Sequence, residues 1–184
     1  GSQDDRTIID VEVQERSTGE LTLGAGFSGT ENFLGELSIR QRNLLGKGQD
    51  LRLRLSVSSI TQQVDLSFTE PYFMNRPVAA GIDLFTRRRD LQFRSGFDES
   101  SSGFGIRFGF PISEYMRVGT RYSLRQDEIK DVDIFASRFI KAQEGKQTIS
   151  SVGYSLIYDI RDDVINPSDG YVFTFSQDFA GVGG

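Results

Sequence analysis

A strict two-residue alternation of apolar and polar side chains recurs along most of this 184-residue chain. The clearest segment is residues 51–58, where Leu51, Leu53, Leu55 and Val57 alternate with charged or small polar residues. Successive side chains of a β-strand point to opposite faces of the sheet, so this segment predicts a strand with one apolar and one polar face. About nine such segments in series, with little helical periodicity between them, predict an all-β, antiparallel up-and-down barrel.

The predicted barrel strands are evenly spread along the chain and follow one short strand near the N-terminus. They cover residues 20–28, 35–43, 51–58, 62–69, 78–87, 102–110, 115–125, 148–159 and 171–179, and the preceding strand covers residues 7–13. Polar connections at residues 88–101 and 126–147 are long, whereas most turns at the opposite end are short, which is typical of outer-membrane barrels. Strands of about 8 to 11 residues also fit the ~9–11 residues needed to cross a bilayer at a tilt.

Composition excludes several classes of function. The chain has no Cys and no His, so it lacks thiolate ligands, imidazole ligands and the commonest general base. We therefore expect no enzyme, no metal and no cofactor. The net charge of −5 argues against a nucleic-acid partner. Carboxylates such as those of Asp162 and Asp163 lie in predicted turns, where solvated acidic residues are ordinary.

The polar face of the predicted strands is rich in arginine, and this indicates which solvent each face meets. An arginine that faces lipid at the bilayer midplane costs roughly 2–4 kcal/mol, whereas one that faces a wet lumen costs little. We therefore predict that the apolar face meets lipid. The predicted lumen-facing residues are Arg40, Arg42, Arg52, Arg54, Asp65, Asp83, Arg107, Arg117, Arg121 and Arg125, with the two aspartates as candidate ion-pair partners. The same alternation also fits a soluble barrel or sandwich with an apolar interior.

Several segments resemble BamA-type insertases, the family that assembles β-barrel proteins in the bacterial outer membrane. The segment TIIDVEVQERSTGELTLGAGFS (residues 7–28) resembles the passage from the last periplasmic POTRA domain into the first barrel strand. Residues 33–55 resemble the next two strands with their tight glycine turn. The segments LSFTEPYF, GFPISEY and INPSDGYVF, at residues 66–73, 109–115 and 165–173, resemble a later strand end and two periplasmic turns. The order and spacing of these segments agree with the family along nearly the whole chain.

The resemblance implies a domain organisation, a location and partners. Residues 1–19 would comprise a tag remnant at Gly1 and Ser2, the last POTRA strand and a hinge, and residues 20–184 the N-terminal portion of a transmembrane barrel. The chain would then be a fragment that lacks the other POTRA domains and the later barrel strands. The implied location is the bacterial outer membrane. The implied partners are a lipid bilayer or detergent and, for the parent protein, nascent outer-membrane proteins.

The implied activity is the insertion of barrel proteins by strand templating at an exposed sheet edge, without a cofactor. The predicted pairing edge consists of Glu20, Leu21, Thr22, Leu23, Gly24, Ala25, Gly26, Phe27 and Ser28. Gly24 and Gly26 would permit close backbone approach, or would simply relieve crowding inside a small barrel. Three further alternatives stay open: a self-closed small barrel with no activity, a homodimer completed through the barrel edges, and a soluble binding barrel.

Overall fold

A computed structural model of the chain describes residues 18–181. In this range there are nine β-strands, two short helices and one 3-10 turn. The strands are β1 (Gly19–Ser28), β2 (Asn32–Leu44), β3 (Gln49–Ser58), β4 (Thr61–Glu70), β5 (Ala79–Asp90), β6 (Asp98–Pro111), β7 (Met116–Lys130), β8 (Gly145–Asp159) and β9 (Val172–Ala180). The helices are α1 (Gln92–Ser95) and α2 (Arg138–Lys141), and the 3-10 turn is Phe73–Asn75. None of the described helices is long and apolar enough to span a membrane.

The strands form one sheet in which β1 to β9 lie in chain order and every neighbouring pair is antiparallel. This topology confirms the predicted all-β, up-and-down architecture. Within residues 18–181, β1 and β9 lie at opposite ends of the sheet, which is therefore open. The self-closed small barrel is not the arrangement of these residues, because each strand pairs only with its neighbours in sequence.

The register collects the apolar side chains of successive strands on one side of the sheet, here called the apolar face. One row of paired residues on this face is Leu21, Ile39, Leu53, Leu66, Leu84, Phe104 and Leu124. The adjacent row on the opposite side, the polar face, is Glu20, Arg40, Arg52, Ser67, Asp83, Gly105 and Ser123. A slip of one residue would exchange the two faces of a strand, so the shared alternation specifies the register.

Within residues 18–181, no second layer covers either face of the sheet. Among the described residues no apolar side chain is buried, and Leu23 and Phe27 are 75% and 81% exposed. The accessible surface of 14076 Å² is well above the ~8,900 Å² expected for a compact soluble protein of this mass. The soluble barrel or sandwich with an apolar interior is therefore not the arrangement of residues 18–181.

Several strands are longer than the alternation predicts. The predicted connections 88–101 and 126–147 shrink to residues 91–97 and 131–144, because β5 to β8 continue into them. Arg89 pairs with Glu99, and Ser101 pairs with Asp127, although these segments show no apolar stripe. Backbone hydrogen bonds between strands need no apolar side chains. Pairing therefore continues beyond the residues that alternate between apolar and polar, where the sequence pattern no longer indicates a strand. The strand predicted at residues 7–13 lies outside the described residues.

The two longer connections contact each other at the end of the sheet that holds the β1–β2 turn. The N–H of Asp133 donates to the carbonyl oxygen of Gly96 at 2.7 Å. Nε2 of Gln92 donates to the carbonyl oxygen of Asp131, also at 2.7 Å. The guanidinium of Arg94 in α1 donates to the carbonyl oxygen of Thr30 in the β1–β2 turn. These contacts link the β1 end of the sheet to its middle strands.

Candidate strand-pairing edge and polar face

Strand β1 forms one lateral edge of the sheet. All the residues predicted for the pairing edge lie in β1, which begins one residue earlier, at Gly19. Among the described strands, β1 pairs only with β2. Its apolar side chains are largely exposed, so no described element covers them. An unpaired strand edge of this kind can template the addition of another strand.

The hydrogen-bond pattern identifies the backbone groups of β1 that face away from β2. The N–H of Arg42 donates to the carbonyl oxygen of Thr18 at 3.3 Å. In an antiparallel ladder, hydrogen-bonded and non-hydrogen-bonded pairs alternate, so the even-numbered residues of β1 bond to β2. The outward N–H and C=O groups therefore include those of Leu21, Leu23, Ala25 and Phe27.

Gly24 and Gly26 open a groove on the polar face beside this edge. The groove measures about 380 Å³, and Glu31, Glu36 and Ser56 are among its lining residues. A β-carbon at Gly26 would meet no atom within 4 Å in the described part of the chain, and one at Gly24 would lie 3.7 Å from Cβ of Glu36. Neither glycine is therefore needed to avoid a clash within this open sheet.

The structure places every residue predicted to face the lumen on the polar face. Neighbouring acidic side chains form ion pairs with most of the arginines. These pairs are Arg40–Asp50, Arg42–Glu20, Arg54–Glu36, Arg107–Asp83, Arg121–Asp178 and Arg125–Asp127. The paired side chains are between 28% and 62% exposed, so each pair contributes only about 0–1 kcal/mol to stability in water. The pairs nevertheless balance the charge of an arginine-rich surface.

Arg107 makes the most extensive of these interactions. One guanidinium nitrogen, Nη1, donates to Asp83, while Nη2 donates to Oγ1 of Thr69 at 2.6 Å and to Oγ of Ser67 at 3.1 Å. The side chain of Arg107 therefore connects β4, β5 and β6 across the polar face.

Asp65, the other predicted ion-pair partner, has a different role. It lies opposite Arg54 in the register of β3 and β4. The guanidinium of Arg54 pairs instead with Glu36, with 3.3 Å between Nε and Oε1. Asp65 accepts a hydrogen bond from Nε2 of Gln63 at 2.8 Å. Asp65 thus holds a neighbour on its own strand.

Sequence reasoning missed an aromatic residue on the polar face. Phe85 interrupts the polar stripe of β5 and lies opposite Gly103 in β6. A β-carbon at Gly103 would lie 3.0 Å from Cε1 of Phe85, so the ring covers the glycine. The two residues are far apart in the chain, and only the strand register brings them together. Once the strand register is known, a large aromatic residue that lies in a polar stripe and faces a glycine identifies such a contact.

The turn between β8 and β9 is organised by carboxylates. Oδ1 of Asp162 accepts the N–H groups of Ser168 at 2.9 Å and Asp169 at 3.0 Å, while the hydroxyl of Ser168 donates to Oδ2. The Ser168 hydroxyl, followed by these N–H groups, holds the pKa of Asp162 well below its ordinary value. The N–H groups of Asn166 and Ile165 likewise lower the pKa of Asp163. In the described range no cluster of three or more candidate ligands is arranged for a metal ion.

A single-layer antiparallel sheet with one apolar and one polar face is the architecture of a membrane β-barrel wall. The chain belongs to the Omp85 superfamily, because the model of the Omp85 superfamily domain matches residues 43–184.

Relatives within this superfamily confirm the resemblance to BamA. The chain is 30% identical over 177 residues to the outer membrane protein assembly factor BamA of Neorickettsia risticii, covering 96% of the chain and 24% of that relative. It is 31% identical over 184 residues to BamA of Nitratidesulfovibrio vulgaris, covering 99% of the chain and 23% of the relative. The chain thus spans about a quarter of the length of these proteins.

A solved structure shows the same fold. The chain is similar to the crystal structure of BamA from Haemophilus ducreyi lacking POTRA domains 1–3, with a TM-score of 0.64 and 22% identity. The similarity covers 92% of this chain and 35% of that one. At this identity the likeness concerns the fold of the sheet.

Proposed function

We propose that the chain forms the first part of the transmembrane barrel of an outer-membrane protein assembly factor, and that β1 templates strands of nascent outer-membrane proteins. The open edge of β1 is the observation that carries this proposal. The relatives named as assembly factors support the general activity. In this proposal the first strand of the barrel is its working surface, and no cofactor or catalytic side chain takes part.

The two faces of the sheet support a location in the outer membrane. The apolar face would meet lipid, and the charge-balanced polar face would meet a wet lumen. Arginines on the polar face avoid the roughly 2–4 kcal/mol that each would cost toward lipid at the midplane. A lipid bilayer, or detergent in its place, is therefore the first partner of the chain.

The domain division predicted from the resemblance becomes part of the proposal. Residues 1–19 would comprise the tag remnant, the last POTRA strand and the hinge, and residues 20–184 would build the barrel wall that starts at the templating edge. The described sheet supports the second part of this division, because β1 begins at Gly19.

Templating by β1 needs only backbone groups. An incoming strand would bond to the outward N–H and C=O groups of Leu21, Leu23, Ala25 and Phe27. Backbone pairing is tolerant of side-chain sequence, which suits a surface that must accept many different barrel proteins. The exposed edge is also an aggregation hazard in water, so the proposal requires that it lie in the membrane or against a partner.

Proline substitutions at two positions of β1 test the templating role. Ala25→Pro removes one outward N–H donor and leaves the ladder to β2 intact, because Pro is tolerated where the N–H of an edge strand faces outward. Thr22→Pro, the matched variant, removes a donor that bonds to β2. The assay is the rate at which an unfolded outer-membrane protein folds into lipid vesicles that contain the chain.

Ala25→Pro is expected to slow the templated folding about 2- to 12-fold, the equivalent of one hydrogen bond of about 0.5–1.5 kcal/mol. The urea midpoint of the chain itself should be unchanged for Ala25→Pro and lowered for Thr22→Pro. If vesicles with the unmodified chain do not accelerate folding, or if Ala25→Pro retains the full rate, the chain is a purely structural barrel segment and the proposal fails.

A further inference from the structure

The polar-face groove over Gly24 and Gly26 lies directly beside the edge where a strand would be added. We propose that this groove accepts an aromatic side chain, best a tyrosine, from the strand that pairs with β1. The inference rests on the proposed templating function and adds to it a side-chain preference. The partner is a β-strand of an outer-membrane protein that carries an aromatic residue on its lumen-facing side.

The ladder geometry brings such a side chain close to the glycines. The outward backbone groups of β1 belong to odd-numbered residues, so Gly24 and Gly26 would form non-hydrogen-bonded pairs with an added antiparallel strand. In such pairs the Cα atoms are only about 4.5 Å apart, and side chains approach more closely than in hydrogen-bonded pairs. A residue opposite either glycine would therefore extend its side chain over the glycine backbone.

The groove has room for a ring. It measures about 380 Å³. No described atom would lie within 4 Å of a β-carbon at Gly26, and Cβ of Glu36, at 3.7 Å, would be the nearest atom to one at Gly24. Two neighbouring glycine positions thus leave an uncovered strip of backbone that the sheet itself does not fill.

The same sheet already contains a related arrangement, in a hydrogen-bonded pair of β5 and β6. The ring of Phe85 covers Gly103 from the adjacent strand on the polar face. An aromatic side chain that covers a cross-strand glycine shields its backbone and helps to fix the register of the pair. At β1 the glycines are present on the same face, and the strand that would supply the ring is the incoming one.

The charges around the groove favour an uncharged ring with a hydroxyl group. Glu36 is paired with Arg54, and Glu31 accepts a hydrogen bond from Oγ of Ser58 at 2.7 Å. These two carboxylates would repel an acidic side chain. They offer further acceptor capacity to the hydroxyl of a tyrosine, so tyrosine should bind better than phenylalanine.

A register-locked peptide provides the test. The chain has no Cys, so Ala25→Cys introduces a single thiol at the edge. Strand-forming peptides carry one Cys, to lie opposite position 25, and either Tyr or Ala at both flanking positions, which then face Gly24 and Gly26. The measured quantity is the equilibrium constant for thiol–disulfide exchange between a small mixed disulfide at position 25 and each peptide, in detergent micelles. In this reaction the peptide thiol replaces the small thiol in the disulfide at position 25, so one S–S bond forms as another breaks and no oxidant is consumed.

The Tyr peptide is expected to be favoured over the Ala peptide about 2- to 12-fold, as for aromatic contacts in other proteins. Adding Gly24→Val and Gly26→Val to the Ala25→Cys chain fills the groove and should reduce the ratio of the Tyr-peptide to the Ala-peptide exchange constant to about 1, both constants being measured on the same chain. A preference that survives the two valines, or equal constants for both peptides, overturns the inference.

A second attachment point separates this inference from the templating proposal. Leu66→Cys places a thiol in β4, which is paired on both sides and cannot accept another strand. If both peptides favour position 25 over position 66 but do not differ from each other, templating stands and the aromatic preference fails. If neither peptide distinguishes position 25 from position 66, strand addition at β1 fails, and the inference fails with it.

Discussion

Arginine substitutions at two adjacent residues of β3 should differ strongly in their effect on stability in a bilayer. Leu55 lies on the apolar face, where the register places it between Leu37 and Val64. Ser56 lies on the polar face, opposite Glu36 and Gln63. The pair tests which face of the sheet meets lipid, while the strand, the neighbours and the introduced side chain stay nearly the same.

The expected magnitudes follow from the position of each residue. Leu55 lies between Leu53 and Val57 in the apolar stripe, away from the strand ends, so Leu55→Arg should cost about 2–4 kcal/mol of unfolding free energy in the membrane. Ser56→Arg adds a guanidinium near the carboxylate of Glu36 and should change stability by no more than about 0.5 kcal/mol. Val57→Arg, nearer the strand end, should cost less than Leu55→Arg, because the penalty falls to about 0–1 kcal/mol at the interface.

Equilibrium unfolding by urea in lipid vesicles measures these differences. With a slope near 2 kcal/mol per M, Leu55→Arg should lower the urea midpoint by about 1–2 M, and Ser56→Arg should leave it nearly in place. Equal losses for the two variants would show that neither face is preferred by lipid. A larger loss for Ser56→Arg would show that the polar face meets lipid, and the assignment of the faces would be wrong.

Three further outcomes are expected. Gly103→Ala should destabilise the sheet by about 1–3 kcal/mol in urea unfolding, because its β-carbon would meet the carbonyl oxygen of Leu124, whereas Gly26→Ala has open space and should be nearly neutral; equal effects would contradict this reading. The lowered pKa of Asp162 contributes stability that is present above the ordinary value of 3.8 and is lost as the pH falls below that value. Asp162→Asn should therefore flatten the decline of the urea midpoint below about pH 4. An unchanged decline would show that other groups cause the acid sensitivity. In detergent micelles, light scattering corrected for bound detergent should give the mass of a dimer, because the sheet of residues 18–181 has two open edges. A monomer would contradict completion by self-association.

Alternation alone was sufficient to predict the strand order and the two faces, because side-chain direction in a strand is a property of position in the sequence. It failed at the strand ends. Residues such as Arg88, Arg89 and Ser100 pair in the ladder, but they carry no apolar stripe that reports it. The prediction that β1 is the pairing edge rested on the family resemblance, since every strand of a closed barrel has two neighbours and alternation favours none of them.

Which acidic residue each arginine of the polar face contacts could not be predicted, because the contacts depend on the strand register. Asp83 meets Arg107, but Asp65 meets Gln63, although both aspartates follow the same pattern in their own strands. The ion pairs of Glu36 and Asp178 could not be predicted either, because only the register between strands brings these carboxylates close to Arg54 and Arg121.

The number of strands limits how the open sheet can be completed. Each antiparallel step reverses the chain direction, so the first and ninth strands point the same way. Any further strands that close the sheet into a barrel, and that pair antiparallel with both β1 and β9, must therefore be odd in number. A second copy of this sheet meets that condition only when it is turned upside down, which brings β1 against β1 and β9 against β9. A micelle permits such an inverted pair, because it has no inside and outside. A membrane that proteins enter from one side does not permit an inverted pair, so in such a membrane the closing strands must come from a segment other than a second copy of this sheet.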